Sequence, residues 1–290
     1  MGGYRFDAEL DTGIAMNLML GDCLERMKEI PDGSVDAVVI DPPYIGMVNQ
    51  SWDRLTDSQA SEFFNNVLTE SYRLLRFGGR FISFCSNDTL TWLYHSKLKH
   101  RELLVIEKDL KRVCAGRNTK QYKQHVNQVE YAFVATKDAR EYCREILLSG
   151  KGELSSKEIN LLLGVAANGG GMWSIYTGEN KCKQVPTKEV WEKFKGIFND
   201  LPEYSSFEEV FNNGLSMGNI LRNFNFNFKG RVHPTQKPVA LMEYLIKTYT
   251  NKGETVLDFC MGSGTTGVAA KNLNRNFIGI EKDVGYFEIA

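Results

Sequence analysis

Blocks of apolar positions along the chain change period, and each period predicts an element. Met16-Asn17-Leu18-Met19-Leu20 and Val35-Asp36-Ala37-Val38-Val39-Ile40 are apolar runs of strand length. A nearly continuous run of this kind suits a strand buried on both faces of a sheet. Between them Leu24, Met27 and Ile30 recur at helical spacing, and Pro31-Asp32-Gly33-Ser34 makes a turn. Thr56 can cap a helix running to Arg76, with Phe63, Phe64, Val67, Leu68, Tyr72 and Leu75 on its apolar face. Gly78-Gly79 ends that helix, and Arg80–Cys85 reads as the next strand. A helix over 88–99 and strands over 102–113 and 128–136 follow. Strands alternating with helices predict an α/β fold with a mostly parallel sheet and right-handed crossovers.

From about 138 to 231 the pattern changes. Helices are expected at Ser155–Gly164 and Thr187–Phe198, with a glycine-rich loop carrying Trp173 between them. Asn223-Phe224-Asn225-Phe226-Asn227-Phe228 alternates with period two, as a half-buried strand would. The α/β pattern then returns with a helix over 238–250, a strand over 255–259, a glycine loop, a helix over 265–272 and a strand over 276–280. The expected organisation is therefore 1–137 and 231–290 as two halves of one sheet domain, with 138–230 as an inserted module.

Composition narrows this picture. The chain has 290 residues, 42% hydrophobic and 24% charged, which suits one large domain with an insertion. No apolar run approaches the ~18 residues of a membrane span, and Met1-Gly2-Gly3-Tyr4-Arg5 lacks a signal-peptide core, so a cytoplasmic location is expected. Six widely spaced cysteines without a Cys-x-x-Cys pair read as reduced thiols, and four histidines without ligand spacing argue against a metal centre. The net charge is −1, yet Lys97–Lys123 holds nine basic and three acidic residues, and Val210–Met242 holds four basic residues and no acid. Local basic faces on a neutral chain fit contact with phosphates along one side.

Candidate chemistry begins at Asp41-Pro42-Pro43-Tyr44, where the strand 35–40 closes on two prolines. Proline removes the backbone donor and holds the turn rigid at the strand's carboxyl end, where open α/β sheets bind ligands. A rigid turn there can aim the Asp41 carboxylate, the Pro42 carbonyl and the Tyr44 ring at one flat heterocycle carrying an amino group. Val256-Leu257-Asp258-Phe259-Cys260-Met261-Gly262-Ser263-Gly264-Thr265-Thr266-Gly267 is a strand running into a glycine turn that opens a helix. That arrangement lets a ligand approach the backbone closely. Glu281 ends the next strand 17 residues after Gly264 and can bind ribose hydroxyls. The glycines alone leave an NAD site open as well. His233-Pro234-Thr235-Gln236-Lys237-Pro238 precedes the helix that leads to the loop.

Taken together, these three stretches resemble the motifs of the DNA amino-methyltransferases, and their order resembles the β group of that family. The resemblance covers most of 16–136 and 231–290. It implies a Rossmann-like methyltransferase fold, circularly permuted, with a seven-stranded sheet and 138–230 as a target-recognition module. It implies S-adenosyl-L-methionine as cofactor, held by Asp22, Asp41, Thr235, Lys237, Asp258, Phe259, Cys260, Gly262, Ser263, Gly264, Thr265 and Glu281. Within that set, Asp258 lies near the methionine end, Glu281 on the ribose and Asp22 at the adenine side. Glu130-Tyr131 resembles a weaker motif flanking the target-base pocket. Many members carry Asp-Pro-Phe where this chain has Asp258-Phe259-Cys260, which leaves open which ring packs on the cofactor.

The implied reaction is direct displacement on a base flipped out of double-stranded DNA, with Asp41, Pro42, Pro43 and Tyr44 as the catalytic turn. Asp at the first position of that turn favours adenine N6, with cytosine N4 as the alternative. A cofactor-binding DNA module without catalysis is a third reading, which the intact Asp41 and Tyr44 disfavour. Cytosine C5 methylation needs a cysteine nucleophile, usually after proline, and the chain has no Pro-Cys dipeptide. The resemblance also brings expectations of a restriction-modification context with a cognate endonuclease, and of a homodimer.

Overall fold

The computed structural model describes residues 13–42, 56–108, 128–165, 171–178, 184–212, 218–226, 228–233 and 235–290. Pro43 and Tyr44 of the turn expected to be catalytic, Pro234, Cys114 and Cys182 lie outside them. The described chain divides into two compact units, one of Met1–Lys137 with Glu209–Ala290 and one of Asp138–Glu208.

In the larger unit, eight strands form one sheet in the order β1-β8-β7-β2-β3-β5-β4-β6. They are β1 (Met16–Leu20), β2 (Val35–Ile40), β3 (Leu75–Cys85), β4 (Lys99–Glu107), β5 (Val129–Thr136), β6 (Ile220–Leu221), β7 (Thr255–Asp258) and β8 (Asn276–Glu281). β5 runs antiparallel to both β3 and β4, and the other pairings are parallel. The seven strands expected from the resemblance become eight because Ile220–Leu221 pairs with β4. The described residues of the period-two stretch do not form the expected strand. Among its described residues, Phe224 packs its ring on Tyr244, 6.0 Å away, and the Lys108 ammonium lies 5.7 Å from the Phe226 ring. Its alternating aromatics are thus taken up by side-chain contacts, without a backbone ladder.

The alternation within β2 explains its continuous apolarity. Val38 and Ile40 face Phe64, Val67 and Leu68 of helix α2 (Asp57–Leu74), while Ala37 and Val39 belong with Leu241, Met242 and Leu245 of a later helix, Val239–Tyr249. Both faces are covered, as a parallel sheet requires. Thr56 caps α2 as its sequence suggests, accepting from the Gln59 N–H while the Gln59 side chain accepts from the Thr56 N–H. The other described α-helices of this unit are α1 (Cys23–Arg26) and α3 (Asn87–Tyr94), with Thr265–Asn272 and Val284–Ile289 near the end of the chain.

The chain leaves this unit after Lys137 and rejoins it at Glu209. The Lys137 backbone exchanges hydrogen bonds with Gly78 and Gly79, and Glu209 pairs with Arg80 at 3.5 Å. Both ends are therefore fixed to one stretch of β3. Residues 209–230, grouped with the inserted module by their sequence pattern, fall with the sheet unit because β6 belongs to its ladder.

The smaller unit is helical among its described residues. It contains α4 (Arg140–Gly150), α5 (Ser156–Leu162), α6 (Met172–Thr177) and α7 (Lys188–Lys195). Trp191, Phe194 and Phe207 are fully buried. Trp173, expected on an open loop, starts a helix and is 3% exposed, with its ring 5.9 Å from Phe194 and 5.7 Å from Phe198. It is a core residue. Numbered in chain order among the described helices, Val239–Tyr249 is α8, Thr265–Asn272 is α9 and Val284–Ile289 is α10.

Candidate active site

Parallel strands bring their carboxyl ends to one edge of the sheet, and that edge collects the acids the sequence singled out. Asp22 follows β1, Glu281 ends β8, Asp258 ends β7 and Asp41 follows β2. Register fixes their spacing: Leu20 pairs with Glu281, Asp258 with Gly279, and Val38 with Leu257.

The glycine turn after β7 needs its glycines. Gly262 has φ +53° and Gly264 has φ +86°, the left-handed region that side chains disfavour. Gly264 opens α9 in that conformation. The Gly262 N–H, one of the backbone donors expected to face a ligand, donates to Glu281 Oε2 at 2.8 Å. Glu281 Oε1 accepts from the Lys282 and Asp283 N–H groups at 2.9 and 2.8 Å. Three backbone donors thus hold this carboxylate in place, out of about four that a carboxylate can accept.

Asp258 is turned inward. Its Oδ1 accepts from the Cys260 N–H at 3.1 Å and its Oδ2 from the Thr266 hydroxyl at 2.5 Å, so it ties the turn to α9. Burial pushes its carboxyl up to about 7, against the pull of the Thr266 hydroxyl and the Cys260 N–H. A carboxyl raised in the folded state keeps its proton from about pH 4 to about pH 7 while the unfolded chain has lost it, so stability falls as pH rises through that window. Asp258→Asn should remove this fall. Its melting temperature relative to wild type is expected to climb by several degrees between about pH 5 and pH 8. A constant offset across that range would contradict the assignment. Phe259 is 2% exposed and belongs to the core beneath the sheet, which answers which way its ring goes. Cys260 is partly buried beside it, and its thiol is raised well above its ordinary value, chiefly by burial.

The segment around Thr235 joins the two turns. The Gln236 side chain donates to Thr265 Oγ1 at 3.3 Å, at the start of α9. The Thr235 N–H donates to His233 Nδ1 at 3.3 Å, and a Cβ on Gly262 would lie 3.7 Å from that His233 ring. Burial lowers the His233 imidazole, which favours its neutral form. Lys237, one residue beyond Gln236, reaches the other turn and places its ammonium 2.6 Å from Asp41 Oδ2. Lys237 is buried, and its ammonium also lies 3.5 Å from Glu130 Oε2 and 4.8 Å from the Phe84 ring centre. Burial alone would lower the Lys237 amine, but Asp41 and Glu130 raise it. Burial alone would raise the Glu130 carboxyl, but Lys237 and Lys108 lower it.

The structure thus gathers Asp41, Pro42, Thr235, Lys237, Asp258, Phe259, Cys260, Gly262, Gly264, Thr265 and Glu281 along one edge through named contacts and shared strands. Ser263 lies in the same turn. Asp22 sits at the far end of the edge, where it caps α1 through the Leu24 N–H at 3.1 Å and meets the Lys282 ammonium at 3.2 Å. Sequence reasoning missed the linking role of Gln236 and the pairing of Lys237 with Asp41 and Glu130. Glu130 carried only a weak motif as its signal.

A family model described as DNA methylase, of the N6 and N4 type, matches residues 35–290. The chain belongs to the N6/N4 DNA methylase family. Among curated relatives of this DNA methylase, the DNA adenine methyltransferase YhdJ of Escherichia coli K12 is 26% identical over 95% of this chain and 81% of its own length. The type II methyltransferase M.HpaI of Haemophilus parainfluenzae is 26% identical over 94% of this chain and 72% of its own length. Among solved structures, an M1.HpyAVI–SAM complex covers 95% of this chain and 97% of its own at 23% identity and a TM-score of 0.55. The cytosine-N4-specific PvuII DNA methyltransferase covers 94% and 84% at 14% identity and a TM-score of 0.58. At such identities these two structures speak to the shared fold. Among the described residues of this methylase, no helix is long and apolar enough to cross a membrane, and no group of three or more His, Cys, Asp or Glu could hold a metal ion.

Proposed function

We propose that this DNA methylase transfers a methyl group from S-adenosyl-L-methionine to adenine N6 in double-stranded DNA. The observation that carries this reading is the segment 235–237, which bonds to the glycine turn's helix at Thr265 and to the catalytic turn at Asp41. One short segment therefore reaches both a place for a donor and a place for an acceptor.

The residues suit the donor. Its sulfonium and ammonium groups are cationic, and Asp22 and Glu281 line one edge with negative charge. Glu281, held by three backbone donors, retains acceptor capacity for a ribose hydroxyl. When bound, S-adenosylmethionine supplies an electrophilic methyl group. Asp41 and the Pro42 carbonyl accept the two N–H bonds of the target amino group, drawing the nitrogen toward tetrahedral geometry and aiming its lone pair. Tyr44 stacks on the flipped base. Asp41 is also placed to take the proton released as the nitrogen becomes a secondary amine.

Asp at position 41 and the similarity to an adenine methyltransferase favour adenine N6 over cytosine N4. The 138–208 unit is proposed to contribute to target recognition. Its buried Trp173 is left out of that role, and its exposed polar positions are preferred. The test is nucleoside mass spectrometry of unmethylated genomic DNA incubated with the protein and methyl-deuterated S-adenosylmethionine. Label in N6-methyladenine supports the proposal. Label in N4-methylcytosine would redirect it to the alternative base, and label in neither would refute it.

A further inference from the structure

Glu130 is a charged group at this edge that the methyl-transfer scheme leaves without a task. It stands near the start of β5 with its Oε2 shut off from solvent and accepting no hydrogen bond from the described residues. A buried carboxylate oxygen without a donor is costly, and such an atom calls for a donor that arrives at some stage. One candidate donor is the Lys237 ammonium, 3.5 Å from Glu130 Oε2 and 2.6 Å from Asp41 Oδ2.

We propose that Glu130 is a second seat for the Lys237 ammonium, which rests on Asp41 before the target base enters and shifts to Glu130 as the target amino group takes its place. The proposal rests on the methyl-transfer reading of the site. An ammonium 2.6 Å from Asp41 cancels much of the field that the carboxylate would offer an amino N–H. Moving it to Glu130 returns that field to Asp41 when the base arrives, while the buried ammonium keeps a carboxylate partner in both seats. Lys108, paired with Glu130 on its other side, keeps the group of two lysines and two carboxylates balanced. In the resting arrangement Asp41 and Glu130 together raise the Lys237 amine against the effect of burial. The Phe84 ring, 4.8 Å from Nζ, adds a face that attracts a cation. Glu130 is thus a positioning residue, acting on Asp41 through Lys237.

The test is a double-mutant cycle read by single-turnover methyl transfer from tritiated S-adenosylmethionine to unmethylated genomic DNA. Wild type, Glu130→Gln, Lys237→Met and the double variant are compared, with the donor dissociation constant measured for each. Glu130→Gln is expected to slow transfer about thirtyfold with donor affinity within about twofold of wild type. The double variant is expected to be no slower than Lys237→Met alone, because Glu130 has no task without its lysine. Losses that multiply, or Glu130→Gln at the wild-type rate, would overturn the proposal. If Lys237→Met does not fold, Glu130→Asp replaces it, withdrawing the carboxylate by one methylene. Its rate should fall between those of wild type and Glu130→Gln, and a rate outside that range would overturn the proposal equally. Wild-type protein that transfers no label would refute the methyl-transfer reading and this inference together. Label from wild type with multiplying losses refutes this inference alone.

Discussion

Asp41→Ala is expected to slow methyl transfer about a thousandfold or more while S-adenosylmethionine still binds within severalfold of its wild-type affinity. The separation follows from where the contacts lie. The glycine turn is held by Glu281, Asp258 and Thr266, and α9 begins with Thr265 bonded to Gln236, so none of these bonds uses Asp41. The variant loses the acceptor proposed to orient the amino nitrogen, and it leaves the Lys237 ammonium 3.5 Å from Glu130 Oε2. Removing one member of a buried charge group can itself cost stability, so Asp41→Asn serves as the companion. Asparagine keeps an oxygen near the Lys237 ammonium and loses the charge, and a drop in rate of about a hundredfold is expected. The measurements are single-turnover transfer and equilibrium donor binding. Donor affinity collapsing in step with the rate would place Asp41 in donor binding instead.

Trp191→Ala is expected to unfold the smaller unit while the sheet unit keeps its donor site. The indole is fully buried, meets Phe207 edge-on at 4.7 Å and donates from Nε1 to the Pro202 carbonyl at 2.9 Å. Truncating such a side chain costs about 3–5 kcal/mol. A helical unit of about seventy residues has little stability to spare against a loss of that size. Hydrogen exchange should show protection lost across α4 to α7, with β2, β7 and β8 unchanged. DNA affinity should fall at least tenfold if this unit contributes to target recognition. Exchange rising equally in β2, β7 and β8 would show that the two units fold as one.

How much of this could be read from the sequence depends on the range of the interaction concerned. β2, β7 and β8 were legible because apolar runs ending at Pro42, Gly262 and Glu281 mark both the strands and their carboxyl ends. The cap at Thr56 was legible because its partner Gln59 lies three residues away. Trp173 was misread as a loop residue because its environment comes from Phe194 and Phe198, distant in sequence. The strand expected over 223–228 failed for a related reason, since Phe224 and Phe226 are satisfied by Tyr244 and Lys108. β6 is two residues long, too short for any period to announce it. The pairing of Lys237 with Asp41 spans 196 positions, and the sequence suggested a cofactor contact for that lysine. Glu281 and Asp258 were legible as acids at strand ends. Their fixed places, one held by backbone donors and one turned inward, depend on the folded turn.

The most direct test of the proposed site is a crystal structure with S-adenosylmethionine bound. The donor should lie along the edge from Asp22 and Glu281 to the glycine turn, with its methyl carbon directed at the space beside Asp41 and the Pro42 carbonyl. A base amino group would then fit within attacking distance of about 3–3.5 Å. A donor bound away from Gly262–Gly264, or one whose methyl group faces away from Asp41, would contradict it.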